Sequence, residues 1–370
     1  MPMIIGDGYV PFHIRVHAKA ETAKEFAQFT AAARRVKAEL ETAGRAERFP
    51  HALIDRLWRI PGAAHVAPYG GYSAVLGALK LAGPATGRPR AMYGVAGSGP
   101  VAEGIRRDLA ASGIEFRETA RRGADSSVEI TMMDTSFRFM DEFQIHFMSV
   151  RERSHALALD AAERDAAEAF MFSRPNRGRA ALAGQLFAAG RLVSMRVHGF
   201  SRFVRPADYL DILPNVQLVF VWAGEIRQLV GGLGVALPQG SRPAGMGAGL
   251  ERAAERIGTH GGRRRLVAFV IGRTAYLFAP ELGLAAFEVP EGERLPISDT
   301  RLHGALLARG LELPGYVPST ADELAALGNH ALQASYCEYD RAPEGGPGIG
   351  FAPAGSWQIG GAGLGDSARK

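Results

Sequence analysis

Apolar residues along this chain alternate between two spacings. Ala91-Met92-Tyr93-Gly94-Val95-Ala96-Gly97 is a short apolar run that reads as a buried strand. Over 101–112 the apolar positions become Val101, Ile105, Leu109 and Ala110, the spacing of one helix face, and Gly113 follows as a helix-ending glycine. Ile114-Glu115-Phe116-Arg117 then starts another strand. The same rhythm returns later. Strands are predicted at 192–197, 216–222 and 266–271, with helices at 180–189, 206–213, 224–230 and 245–257 between or before them. Strands that alternate with helices predict βαβ units, so the expected fold class is α/β, a doubly wound, mostly parallel sheet flanked by helices.

The flanks break this rhythm. Segments 274–278 and 284–289 read as an antiparallel continuation of the sheet, and 301–311 and 321–336 as helices. Residues 19–46 predict an amphipathic surface helix, and 157–172 a further helix. Residues 9–17 alternate as a strand does. Val128-Glu129-Ile130-Thr131-Met132, Phe137-Arg138-Phe139 and Gln144-Ile145-His146-Phe147-Met148 are three strand candidates with no helix between them. They predict a β-rich lid over 127–150, to which part of 10–66 can be added, inserted into a nucleotide-binding core formed by 1–126 and 151–370.

Composition narrows the class. With 370 residues and 47% hydrophobic content, the chain can bury a large core. A net charge of +5 suits anionic small molecules and does not exclude nucleic acid. Cys337 is the only cysteine, so no internal disulfide forms, and no apolar run approaches a membrane span. The expectation is a soluble cytoplasmic protein that does not engage membranes.

Candidate chemistry gathers in few places. Gly361-Ala362-Gly363-Leu364-Gly365-Asp366 alternates glycine with small or apolar residues and ends in an acid. Such a loop can turn backbone N–H groups towards an anion, and a carboxylate at its end is placed to take a proton from an attacking hydroxyl. It reads equally as a glycine-rich tail. Gly70-Gly71 opens a small-residue segment that reads as a helix, allowing close approach of a ligand or merely close packing. Arg174, Arg177 and Arg179 share one loop, which is a phosphate contact or a solvated turn. Arg263-Arg264-Arg265 lacks interleaved aromatic residues, which argues against nucleic acid. The ten histidines show no zinc spacing, and His146 and His303 read as structural. Neither a P-loop nor a Gly-x-Ser-x-Gly elbow is present.

Taken together, the order of elements, Gly70-Gly71, the stretch from Tyr93 to Ile114 and Gly363-Leu364-Gly365-Asp366 resemble the ribokinase-like superfamily of sugar and nucleoside kinases. The leucine between the terminal glycines is similar to the ADP-dependent glucokinases and phosphofructokinases, which keep this motif close to the C-terminus. The resemblance implies a carbohydrate kinase with ADP or ATP as phosphoryl donor and magnesium as cofactor. Asp366 would be the catalytic base, and Gly363, Leu364 and Gly365 would hold the transferring phosphate. Gly70 and Gly71 would contact the sugar, and Glu225 would serve the metal.

The chain departs from that pattern in several positions. Trp222-Ala223-Gly224-Glu225 keeps only the glutamate of an Asn-x-x-Glu motif, and His198-Gly199-Phe200 lacks the acid of a His-x-Glu. Phe12-His13-Ile14 stands where the first strand carries Asn and Asp. Ser298-Asp299-Thr300-Arg301-Leu302-His303-Gly304-Ala305 offers a competing register against the Asp-Thr-x-Gly-Ala-Gly-Asp of ATP-dependent members, and there the base falls on Ala305. These departures imply the alternative expectation: a catalytically impaired homologue that binds sugar, nucleotide or a protein partner.

Overall fold

Ile4 and Ile5 are adjacent and both fully buried, yet they belong to opposite cores. That is the signature of a strand covered on both faces, and it marks Met3–Asp7 (β1) as the centre of the molecule. The computed structural model describes residues 2–336, apart from 43–56, 119–127, 134–144, 148–156, 198–204, 235–246, 290–296 and isolated residues between these segments. The terminal segment 337–370, with Gly363, Leu364, Gly365 and Asp366, lies outside the described residues.

A nine-stranded sheet is built on β1. On one side β1 pairs in parallel with β4 (Arg90–Gly94), which pairs with β5 (Ile114–Glu118). On the other side come β8 (Ala167–Phe172), β9 (Leu192–Val197), β10 (Leu218–Val221) and β11 (Leu266–Ile271), all parallel. The antiparallel strands β12 (Thr274–Ala279) and β13 (Gly283–Glu288) complete that edge. Gly272, at φ 62°, forms half of the two-residue turn joining β11 to β12. A separate four-stranded sheet, in the order β3-β2-β6-β7, contains β2 (Phe12–Ala18), β3 (Ala63–Gly71), β6 (Val128–Met133) and β7 (Ile145–Phe147).

Helices cover both faces of the large sheet. One core holds buried residues of α2 (Ala74–Thr86), α3 (Pro100–Ala111), α9 (Asp299–Gly310) and α10 (Ala321–Tyr336). It also takes in Phe29 and Ala33 of α1 (Ala23–Thr42). The opposite core holds residues of α5 (Arg177–Ala188), α6 (Pro206–Leu210), α7 (Ile226–Gly232) and α8 (Gly247–Thr259). The sheet is therefore doubly wound, as the sequence predicts. Its winding reverses between β1 and β8, and ligands of open α/β sheets bind at the carboxyl ends of the strands beside such a reversal.

Three sequence expectations need correction. The first strand is β1, ahead of the predicted 9–17 segment, and the latter corresponds to β2 in the small sheet. The predicted helix 157–172 is only a six-residue helix, α4 (Ala161–Ala166), after which the chain turns straight into the central strand β8. Asp160 and Glu163 form a reciprocal capping box that starts α4, but Ala167 is already extended at φ −65°, ψ 112°. Finally, Gly70 and Gly71 do not open a helix. They end β3, paired with His13 and Phe12 of β2, and the helix starts at Ala74.

Candidate functional site

Asp7 is the last residue of β1 and lies at the reversal, level with Phe172 at the end of β8. Its carboxylate is wholly buried and is met by Arg179 from the first turn of α5. Arg179 donates from Nη2 to Oδ1 at 2.9 Å and from Nε to Oδ2. Burying either charge alone would be costly, and the fork of the guanidinium satisfies both carboxylate oxygens. Of the three arginines that the sequence groups in one loop, Arg177 and Arg179 instead lie in the first turn of α5, and Arg179 belongs to the interior.

A second polar chain links the sheet to α9. Arg196 is the penultimate residue of β9 and only 2% exposed. It donates from Nη2 to Oδ2 of Asp299, the first residue of α9. Its guanidinium lies 4.9 Å over the ring of Phe220 in β10. One turn along α9, the His303 imidazole stacks on the other ring contact of Phe220, 5.3 Å between centroids, and its Nε2 lies 2.6 Å from Oγ of Ser194 in β9. Burial, with Arg196 adding to it, pulls the His303 pKa down to about 3, so the ring is neutral and structural, as the sequence suggests. These pairings run α9 antiparallel to β9 and set its N-terminus at the carboxyl edge of the sheet. Ser298 caps that terminus by accepting from the Arg301 N–H at 3.4 Å.

α2 brings the small sheet to the same edge. A Cβ on Gly77 would run into the Thr300 side chain, and one on Gly304 would come within 2.5 Å of the Ala78 carbonyl oxygen. Only bare backbone allows α2 and α9 this approach. Gly70 and Gly71 precede Ala74, the first residue of α2, by four and three residues, so the diglycine, Asp7 and Asp299 all belong to elements that end or begin at one edge.

The competing register can be placed as well. Leu302 N–H already bonds to the Ser298 carbonyl at 2.9 Å, so α9 is helical from its first turn. Ala305 is 1% exposed within the α2–α9 layer. No acid stands there, and no glycine loop interrupts the helix. Gly363, Leu364, Gly365 and Asp366 of the terminal register lie outside the described residues.

Glu225 precedes α7, is 6% exposed, and donates its backbone N–H to the Trp222 carbonyl at 2.8 Å. Among the described residues no three His, Cys, Asp or Glu side chains converge as a metal site. Asp7 and Asp299 are each neutralised by an arginine. The described residues therefore do not fit a protein-bound magnesium ion.

The basic run 263–265 sits at the opposite, amino-terminal edge. Arg265 is fully buried and donates to the carbonyls of Val216, Ile257 and His260 at 3.2, 2.5 and 2.7 Å, closing the end of α8. Arg263 lies 5.3 Å over Phe187 in a cleft of about 570 Å³ that Tyr316 and Gln217 also line.

Sequence reasoning missed Asp7 and Arg196, and it read Arg179 as a phosphate contact or a solvated turn rather than as the buried partner of Asp7. A signal existed for Arg196, since a charge inside the otherwise apolar run Leu192-Val193-Ser194-Met195-Arg196-Val197 needs a buried partner.

No family model matches the chain, and no curated protein matches it. Solved structures do. An adenosine kinase from Anopheles gambiae, in complex with P1,P4-di(adenosine-5) tetraphosphate, is 16% identical with a TM-score of 0.63, over 90% of this chain and 97% of its own. An adenosine kinase from Schistosoma mansoni with adenosine, in an occluded loop conformation, is 12% identical with a TM-score of 0.66, over 94% and 97%. A ribokinase from Giardia lamblia is 14% identical with a TM-score of 0.66, over 95% and 97%. These are adenosine kinases and ribokinases, and they lend no support to the nearness to ADP-dependent glucokinases that the tail suggested. The doubly wound sheet, its reversal beside β1 and these likenesses agree: the chain has the fold of the ribokinase-like sugar and nucleoside kinases.

Proposed function

We propose that this protein is a phosphotransferase acting on a hydroxyl of a sugar or nucleoside, with ATP as the donor rather than ADP. The observation that carries this reading is the carboxyl-terminal edge of the sheet. There the winding reversal and the N-terminus of α9 lie at one edge, in a fold shared with adenosine kinases and ribokinases, and the diglycine ends β3 shortly before α2, which packs on α9. The small sheet, which packs through β2 and β3 on α3, acts as the lid in this reading. Asp366 takes the proton of the attacking hydroxyl, while the backbone of Gly363, Leu364 and Gly365 cradles the phosphate. Glu225 is assigned no metal, because the described residues provide no ligand set around it.

A second reading is favoured by Ala305 and the Arg196–Asp299 pair: a protein that binds sugar or nucleoside and nucleotide without transfer. The register that α9 occupies offers no base.

Nucleotide consumption over a panel of sugars and nucleosides, with ATP and with ADP, separates the two. Turnover with ATP that disappears in Asp366→Asn supports the first. Turnover indifferent to that substitution sinks the assignment of Asp366. Binding of both ligands with no turnover selects the second reading.

A further inference from the structure

At the amino-terminal edge of the sheet, the turns that lead into β9, β10 and β11 meet the turn that follows α9. Between them lies the cleft of about 570 Å³ that holds Arg263, within the roughly 300–1,000 Å³ of small-molecule sites. Every residue of the bordering turns, 187–191, 213–217, 260–265 and 311–317, is among the described ones.

The lining is one-sided in charge. Arg263 and Arg264 border the cleft, and among the described residues no acid does. Arg263 meets no carboxylate there; its guanidinium lies 5.3 Å over the Phe187 ring. A guanidinium stacked by its face keeps its N–H groups in the plane of the fork, open to an acceptor. Arg264 holds Glu281 at 3.4 Å, but both side chains are exposed, so that pair is weak and exchangeable. Gln217 adds a neutral donor. It is 8% exposed, its Oε1 accepts from the Val193 N–H at 2.8 Å, and its Nε2 donates to the Arg191 carbonyl at 3.0 Å. Those two bonds fix the orientation of the amide, and its second N–H has no acceptor among the described residues.

Tyr316 supplies a further wall. It is a bulky residue at φ 65°, in the left-handed region, and its hydroxyl donates to the Gly190 carbonyl at 2.9 Å. That bond pins the ring between the loop after α9 and the turn before β9. Backbone strain of this kind persists only where the surroundings hold it, and it concentrates at ligand clamps.

We propose that this cleft is a ligand site separate from the crevice at the carboxyl edge, and that it takes a small aromatic anion of the nucleoside monophosphate class. The two arginines and the Gln217 amide offer donors to a phosphate. Tyr316 and the Arg263–Phe187 stack offer flat faces to a ring. Two arginines and room for one ring suit a single nucleotide rather than a strand, which needs successive stacking platforms. The basic run 263–265 is thereby divided between two tasks: Arg265 closes the end of α8, and its two neighbours face the ligand.

The test uses the full chain with AMP as the probe. Calorimetry measures the affinity, and hydrogen–deuterium exchange locates the bound ligand. The expected result is a dissociation constant below about 1 mM, with exchange slowed over 187–191, 260–264 and 313–317. Arg263→Ala, on the exposed rim, weakens AMP by roughly tenfold and removes that protection. Tyr316→Asn weakens it as well, because asparagine accepts the left-handed backbone and brings no ring. Inorganic phosphate binds at least about tenfold more weakly than AMP.

AMP that leaves exchange in these turns unchanged overturns the inference, even where it binds at the crevice. An Arg263→Ala or Tyr316→Asn protein that binds AMP as the unmodified chain does also overturns it. Inorganic phosphate equal to AMP reveals a basic surface without a ring site. Affinity that rises with the length of an oligothymidylate reveals a strand-binding face. Either result sinks the inference. Should Tyr316→Asn not fold, Arg263→Ala decides.

Discussion

Gly304 of α9 lies against the backbone of Ala78 in α2, so close that a Cβ would sit 2.5 Å from the Ala78 carbonyl oxygen and 3.0 Å from its Cα. The obstacle is backbone, which cannot turn aside as a side chain can. Gly304→Ala is therefore expected to separate the two helices and to cost about 1–3 kcal/mol, read as a lower midpoint in urea unfolding. Gly231→Ala, where a Cβ meets nothing within 4 Å, is the control and leaves the midpoint unchanged or raises it.

His303 predicts a pH dependence. Its folded pKa is depressed to about 3 by burial and the Arg196 charge, below the ordinary value near 6.5. Between those values the unfolded chain binds a proton that the folded chain does not, so stability falls as pH drops below about 6.5. Above that value the contribution is constant. The expected slope from this group is on the order of 1 kcal/mol per pH unit. Urea unfolding at pH 7 and pH 5 measures it, and His303→Gln should flatten the difference.

The Asp7–Arg179 pair predicts non-additivity. Arg179→Met takes the compensating guanidinium away from a buried carboxylate and should cost about 3–5 kcal/mol. Adding Asp7→Asn removes the stranded charge and should recover much of the loss. A double-mutant cycle on unfolding free energies reads the coupling, and additive losses would refute a tightly coupled pair.

Adjacent arginines should behave differently. Arg265 serves three carbonyls and is buried deeply enough that its pKa falls to about 10. Arg265→Ala should destabilise the protein strongly, by about 2 kcal/mol or more, whereas Arg263→Ala, on the exposed rim, should not move the unfolding midpoint.

Much of the fold is legible in the sequence because β9, β11, β12, β13 and α3 carry clear apolar periods bounded by glycine. β8 is not legible. Ala167-Glu168-Ala169-Phe170-Met171-Phe172 is rich in helix formers and follows a genuine helix start at Asp160. It becomes a strand because β1 and β9 flank it and both faces are covered, which is a tertiary override of local propensity. β1 is too short to show a period. At the candidate site, charge counting finds clusters of arginine but does not tell which member is buried. Arg179 and Arg265 are interior while their neighbours in sequence include exposed residues such as Arg263 and Arg264. The diglycine is recognisable, but its place at the end of β3 depends on pairing with β2, a partner chosen by the sheet.

β1 also sets a timetable for synthesis. It is made first, yet it needs β4 on one side and β8 on the other, and its terminal Asp7 waits for a partner 172 residues downstream. A nascent chain emerging N-terminus first thus carries the middle of its own sheet with one side bare until Ala167–Phe172 has left the ribosome. The strand that centres the finished molecule is thus, for much of the chain's synthesis, an open edge.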